Sequence, residues 1–218
     1  MPEDPVFIKT IVTTDMAEQI ATAHGVRTIN VLTGFKYIGE QIAMLEAKGK
    51  ARSYILGFEE SYGYLTGSYV RDKDAVNAAS MICEMFAYYK TKGISLYEKL
   101  NDLYKTYGFC LNKVYSYEFA GSAGFAKMAE IIDVFRNGNM QSFGGKKIIK
   151  CLDYSLGLDG LPKSNVLKFI LEDNCSVVVR PSGTEPKLKT YLTVSAATKE
   201  AAQEQEAILN ADIKQYIK

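Results

Sequence analysis

The stretch "SVVVRPSGTEPKLKTYL" (Ser176–Leu192) runs as a strand, a short polar loop and a second strand, and its reading decides the second half of the chain. Arg180, Pro181, Ser182, Gly183 and Thr184 are packed into five loop positions. A plain hairpin accounts for Pro181 and Gly183 but not for three hydrogen-bond donors beside them. Arg offers a planar fork to phosphate oxygens, Ser and Thr add hydroxyls, and Gly exposes backbone N–H groups in a turn. The loop therefore reads as a phosphate nest, with a polar hairpin carrying an incidental Arg as the other reading.

Outward from this hairpin, strands are expected at Phe109–Phe119, Lys147–Asp153, Val166–Leu171, Ser176–Arg180 and Leu188–Val194, with turn signals in "SLGLDGLPKSN" and "EDN". Helices are expected at Ala123–Arg136 and Thr198–Ile217, the second with Ile208, Leu209, Ile213 and Tyr216 at helical spacing. Consecutive strands with two helices make a small, mainly antiparallel α+β domain.

The first half alternates instead. "VFIKTIV" (Val6–Val12), Arg27–Leu32 and Ser53–Glu60 read as strands, and "YLTGSYV" as a short fourth. Helical spacing covers Asp15–His24, with Gly25 as its C-cap, and the segment through Phe35, Ile38, Ile42 and Leu45, with Gly49 beyond it. Asp74–Tyr89 and Ser95–Tyr107 read as two more helices. Strands alternating with helices predict an α/β layer on a partly parallel sheet. A domain boundary is expected at about Tyr107, giving 1–107 and 108–218 with no flexible linker.

Composition narrows the function. The 218 residues carry 26 Lys and Arg against 25 Asp and Glu, a formal charge of +1, so the basic footprint of a nucleic-acid binder is missing. Cys83, Cys110, Cys151 and Cys175 are dispersed and His24 is the single histidine, which offers no zinc spacing. Reduced thiols in a cytoplasmic protein are expected, with no signal peptide or membrane span in the sequence.

Three further motifs carry chemistry. "LTGFK" places Thr33 and Gly34 where a strand hands over to a helix, a position for a polar ligand or simply for a Thr N-cap. In "GFEESYGY", Glu59 and Glu60 are adjacent and, if the strand holds to this point, face opposite ways, so they cannot be an acid–base pair flanking one bond. Glu59 and Ser61 share a face if the strand continues, and suit the hydroxyls of a polyol; a solvent-facing loop is the alternative. In "RDKDAV", Asp72 and Asp74 invite a metal, but one of them caps the next helix, and Lys73 and Arg71 read better as phosphate contacts.

"TGFK", "GFEESYGY", "RDKDAV", "GLPKSNVLKF" and "RPSGTEPK", in this order, resemble the phosphoglucomutase/phosphomannomutase (α-D-phosphohexomutase) family over nearly the whole chain. The resemblance implies a three-layer α/β third domain followed by the family's C-terminal fourth domain. It implies that Glu59 and Ser61 contact hexose hydroxyls, that Thr33 and Gly34 belong to the loop governing sugar preference, and that Lys73 lines the active site. Arg180, Ser182, Gly183 and Thr184 would hold the substrate phosphate that is not being transferred. Phe35 stands where family members differ.

The family reaction uses a phosphoserine in a T-A-S-H-N-P-like segment of the first domain and Mg2+ on a D-G-D-x-D-R-like loop of the second. Neither sequence occurs here. The resemblance thus implies a C-terminal fragment, inactive alone, of an enzyme that interconverts glucose or mannose 1- and 6-phosphates through a 1,6-bisphosphate. Domains 1 and 2 would be its missing partners, and glucose 1,6-bisphosphate its intermediate and activator. The alternative is a stand-alone, non-catalytic module that binds sugar phosphates.

Overall fold

A computed structural model describes residues 1–119, 121–182 and 185–217. The chain divides into two compact units, Met1–Tyr107 and Gly108–Lys218.

The first unit begins with β1 (Val6–Thr10), a fully buried run, then α1 (Met16–Ala23), β2 (Arg27–Val31) and α2 (Phe35–Ala47). β3 (Tyr54–Glu59), β4 (Gly63–Leu65), α3 (Ala75–Thr91) and α4 (Leu96–Tyr107) complete it. The sheet order is β2-β1-β3-β4, with β1 parallel to both neighbours and β4 antiparallel to β3. Gly25, at φ +69°, takes the left-handed position that lets the chain leave α1 and re-enter the sheet.

Alternation along β1 separates the layers. Phe7 stacks on Phe58 and packs with Ala21 of α1. Ile8 is paired with Gly57, which lies against Ile38 of α2. Right-handed crossovers in opposite directions from β1 and β2 put α1 and α2 on opposite faces, so this unit has three layers. α2 buries Phe35, Ile38, Ile42 and Leu45, the predicted stripe.

Two details depart from the expectation. The fourth strand is confined to Gly63–Leu65, which pairs with Gly57–Glu59 of β3; the rest of "YLTGSYV" is loop. The helices at 75–91 and 96–107 form but bury none of their residues; Met81, Ile82, Met85 and Phe86 of α3 remain exposed. Local signals fix their ends. Asp74 accepts from the Asn77 N–H at 2.9 Å, while Ser95 and Glu98 make a reciprocal capping box.

The second unit contains β5 (Phe109–Glu118), α5 (Gly121–Asn137), β6 (Ser142–Phe143), β7 (Lys146–Asp153) and β8 (Leu167–Leu171). β9 (Ser176–Pro181), β10 (Lys187–Ala196) and α6 (Lys199–Ile217) follow. All pairings are antiparallel, in the order β5-β10-β9-β8-β7-β6. Asp173 and Asn174, both at positive φ, make the tight turn between β8 and β9 that "EDN" predicts.

One face of this sheet forms the core. Val177, Val179, Leu188, Leu192 and Phe169 pack with Ile131, Ile132 and Phe135 of α5 and Leu209, Ile213 and Ile217 of α6. Two readings change here. β6 was not expected, being two residues long. Ile208 is exposed, and Ala202, Leu209, Ile213 and Ile217 carry the buried stripe of α6. The four cysteines are free thiols, with only Cys175 buried. Among the described residues no helix is long and apolar enough to cross a membrane.

Candidate functional site

In the first unit, three motifs far apart in sequence meet around Lys73. Its Nζ lies 4.0 Å from Glu59 Oε1 at the end of β3 and 5.4 Å from the centre of the Phe35 ring at the start of α2. "LTGFK", "GFEES" and "RDKD" are therefore one cluster. Asp72 takes bonds from both the Lys73 N–H, at 2.7 Å, and Nζ, at 2.8 Å. That bond to Asp72 is the main reason the Lys73 ammonium is held above its usual pKa, so it keeps its charge at neutral pH. Glu59 is buried, its side chain only 7% exposed.

Gly63 makes this approach possible. A Cβ there would stand 2.8 Å from Cγ of Glu59 and from Cγ and Cδ of Lys73. Gly63→Ala must push the two side chains apart, and is expected to lower stability by about 1–2 kcal/mol, as overpacking does. Urea unfolding measures this, and an unchanged midpoint would show that the cluster is loosely held.

The structure places the other residues of this half differently from one another. β3 stops at Glu59, so strand alternation does not extend to Ser61, which is an exposed turn residue. Tyr62 turns the chain at φ +62° with its side chain 89% exposed, a left-handed conformation that costs a non-glycine residue about 1 kcal/mol. Gly34, not Thr33, is the N-cap of α2, and Thr33 Oγ1 is buried with no hydrogen-bond partner among the described residues. The Thr N-cap reading is thereby replaced by a buried hydroxyl in need of a partner. Arg71 is already committed: it is paired with Glu46 of α2 and donates to the carbonyls of Ser68 and Val70. It braces the loop that carries Lys73.

A second polar cluster lies at the carboxyl ends of β1 and β3. Lys9 is fully buried and donates to the Thr13 carbonyl at 3.2 Å and to Asp15 Oδ1 at 2.9 Å, with Glu18 Oε2 at 3.7 Å. Thr10 and Thr13 both donate to Glu60 Oε2, at 3.1 and 3.2 Å. These residues sit where the strand order reverses, the usual place for a ligand crevice in an open α/β sheet. Sequence reasoning passed over Lys9 although a charged residue inside "VFIKTIV" was the available signal.

In the second unit, Arg180 is the penultimate residue of β9, in register with Lys189, and Pro181 opposite Leu188 ends the pairing. Ser182 takes over the turn: its N–H donates to the Lys187 carbonyl at 2.7 Å and its Oγ accepts from the Glu185 N–H at 3.2 Å. Gly183 and Thr184 lie outside the described residues. Arg180 and Ser182 line a cleft of about 450 Å³ together with Phe125 and Met128 of α5 and Ser164 and Asn165 before β8. Among the described residues no carboxylate pairs with Arg180, in contrast to Arg71. A concave site with a free guanidinium, hydroxyls and an apolar wall suits a small anion carried on a larger group.

The fold is that of a two-unit protein, α/β followed by α+β. Comparison with known proteins makes the class specific. A model described as "Phosphoglucomutase/phosphomannomutase, alpha/beta/alpha domain III" matches residues 1–107, and one described as "Phosphoglucomutase/phosphomannomutase, C-terminal domain" matches residues 122–211. The phosphoglucomutase of Staphylococcus saprophyticus is 36% identical over 199 residues, covering 86% of this chain and 36% of that protein. The phosphoglucomutase of Staphylococcus aureus strain USA300 is 34% identical over 199 residues, covering 86% of this chain and 35% of that protein. The solved structure of pp63/parafusin, a phosphoglucomutase from Paramecium in its open form, superposes with a TM-score of 0.70 at 22% identity, covering 97% of this chain and 36% of that one. The chain belongs to the phosphoglucomutase/phosphomannomutase family, as its C-terminal region. It spans little more than a third of the length of these relatives.

Proposed function

We propose that this chain recognises a hexose phosphate for a phosphohexomutase, an isomerase that moves a phosphoryl group between the 1- and 6-positions of glucose or mannose. The observation that carries the reading is the cleft in which Arg180 has no carboxylate partner among the described residues and Ser182 and apolar side chains complete the wall.

In the family reaction a phosphoserine gives its phosphoryl group to the sugar phosphate, and the resulting 1,6-bisphosphate turns around and returns the other one. The phosphate that is not reacting must be held firmly in either orientation. Arg180 does this with a charge it cannot lose. Gly183 and Thr184 would add the remaining donors of the loop. Glu59 accepts from sugar hydroxyls, Lys73 donates beside it, and Ser61, Thr33 and Gly34 complete the sugar contacts. Positioning and electrostatics dominate phosphoryl transfer, so these contacts contribute to the rate without touching the reacting phosphorus.

The phosphoserine would come from the enzyme's other domains, and so would the Mg2+ ligands. Among the described residues no group of three or more His, Cys, Asp or Glu side chains is placed to hold a metal ion, so the residues present do not fit one. Glucose 1,6-bisphosphate would act as intermediate and activator, and the setting is cytoplasmic. The test is direct. The 218-residue chain, given glucose 1-phosphate, glucose 1,6-bisphosphate and Mg2+, should form no glucose 6-phosphate, yet calorimetry should detect glucose 1-phosphate binding far tighter than glucose. Turnover by the chain alone overturns the division of labour; equal affinity for glucose and its phosphate overturns the phosphate site.

A further inference from the structure

The motif "GLPKSNVLKF" supplies Ser164 and Asn165 to the cleft beside Arg180, and the reading above gives Asn165 no task. Asn165 is gripped from behind. Arg136, near the end of α5, donates from Nη2 to Asn165 Oδ1 at 2.7 Å and from Nε to Asp153 Oδ2 at 2.8 Å. Asp153 is itself fixed, its Oδ1 accepting from the Ser155 N–H at 2.9 Å. A third contact, Arg136 Nη1 to Asp133 Oδ1 at 3.4 Å, is longer.

A guanidinium has donors only, so the carboxamide must turn its oxygen toward Arg136. Rotating the amide by half a turn would set NH2 against the guanidinium. The Nδ2 group is therefore held as a pair of N–H donors, and among the described residues nothing accepts from it. Among the described residues no carboxylate lines the cleft, whose other polar side chains are the Arg180 guanidinium and the serine hydroxyls. Donors without a competing carboxylate suit a phosphate monoester dianion.

We propose that Asn165 is a ligand of the phosphate held by Arg180, and that Arg136, anchored on Asp153, is the residue that positions it. This rests on the cleft being the phosphate site. It adds a neutral donor to the nest from a segment separate in sequence from the Arg180 loop. Specificity follows: an acceptor-rich neutral group such as a sugar hydroxyl cluster gains less from this donor than a phosphate does.

The test titrates the 15N-labelled chain with inorganic phosphate. The Asn165 side-chain NH2 resonances, assigned by their loss in Asn165→Ala, should shift along the same saturation curve as Arg180. Asn165→Ala should raise the phosphate Kd about tenfold, the equivalent of one hydrogen bond to a charged group. Arg136→Gln should raise it severalfold, and should add nothing in the Asn165→Ala background, since it acts only through that amide. Arg136→Lys serves if Arg136→Gln does not fold. Wild-type affinity in Asn165→Ala, with binding lost in Arg180→Ala, overturns this proposal and leaves the cleft reading standing. Independent, multiplying losses overturn the positioning role alone. No phosphate binding by the wild-type chain overturns both.

Discussion

Arg180→Ala is expected to weaken glucose 1-phosphate binding about a hundredfold, in the lower part of the range for truncating one member of a hydrogen-bonded charge pair. The planar fork can give a phosphate two parallel N–H bonds, each shorter and stronger than a neutral bond. Truncation removes both bonds and the positive charge. The cost to the fold should be small. Arg180 lies near the end of β9 and, among the described residues, pairs with no carboxylate, so its loss orphans no buried partner. Stability should change by no more than about 0.5 kcal/mol, as for a surface substitution. Arg180→Lys separates charge from shape: it keeps the charge and loses the fork, and should fall between wild type and alanine. Calorimetry at low ionic strength reads both variants, because salt screens exposed charges over roughly 10 Å at 0.1 M. Wild-type affinity in Arg180→Ala would remove the basis for placing the phosphate in this cleft.

What was legible in the sequence was whatever depended on neighbours along the chain. The Asp74 cap, the Ser95–Glu98 box, the Gly25 exit from α1 and the Asp173-Asn174 turn all rest on residues within a few positions of one another. The buried stripe of α2 was equally local, because helical periodicity alone selects Phe35, Ile38, Ile42 and Leu45. β6 escaped because two residues carry no period. The end of β3 at Glu59 escaped because the alternation rule does not say where a strand stops, and Ser61 was assigned a face it does not inherit.

The candidate site divides along the same line. Its motifs were visible singly, and the meeting of Lys73 with Glu59 and Phe35 was not, since those residues are 14 and 38 positions away by their numbers. Arg71 shows the converse. A basic residue beside Lys73 looked available for phosphate, but Glu46, on α2, had already claimed it. A sequence identifies a charged side chain readily; only the fold reveals whether that charge is neutralised internally.

Lys9 is the sharpest case, and Lys9→Ala is expected to destabilise the first unit by about 3 kcal/mol, the lower end for breaking a buried ion pair. The lysine is fully buried in the strand that pairs with both β2 and β3. Alanine would leave a cavity under α1 and remove the donor from the Thr13 carbonyl and from Asp15. Lys9→Met separates these contributions. It keeps most of the volume and removes the ammonium with its charge and donors, so the loss should drop to about 1–2 kcal/mol, the penalty for unsatisfied polar partners. The drop is expected because Asp15 and Glu18 are 22% and 41% exposed and can recruit water. Urea unfolding followed by a probe in the first unit measures both variants, and a Lys9→Met chain as stable as wild type would show that the ion pair contributes no net stability. The effect should reach the site. Thr10 and Thr13 stand next to this lysine and hold Glu60, the residue after Glu59, so a loosened β1 end loosens the turn that carries Ser61 and Tyr62. Sugar affinity should then fall in Lys9→Ala while inorganic phosphate binding in the second unit stays unchanged, because the described residues that line that cleft all belong to the second unit.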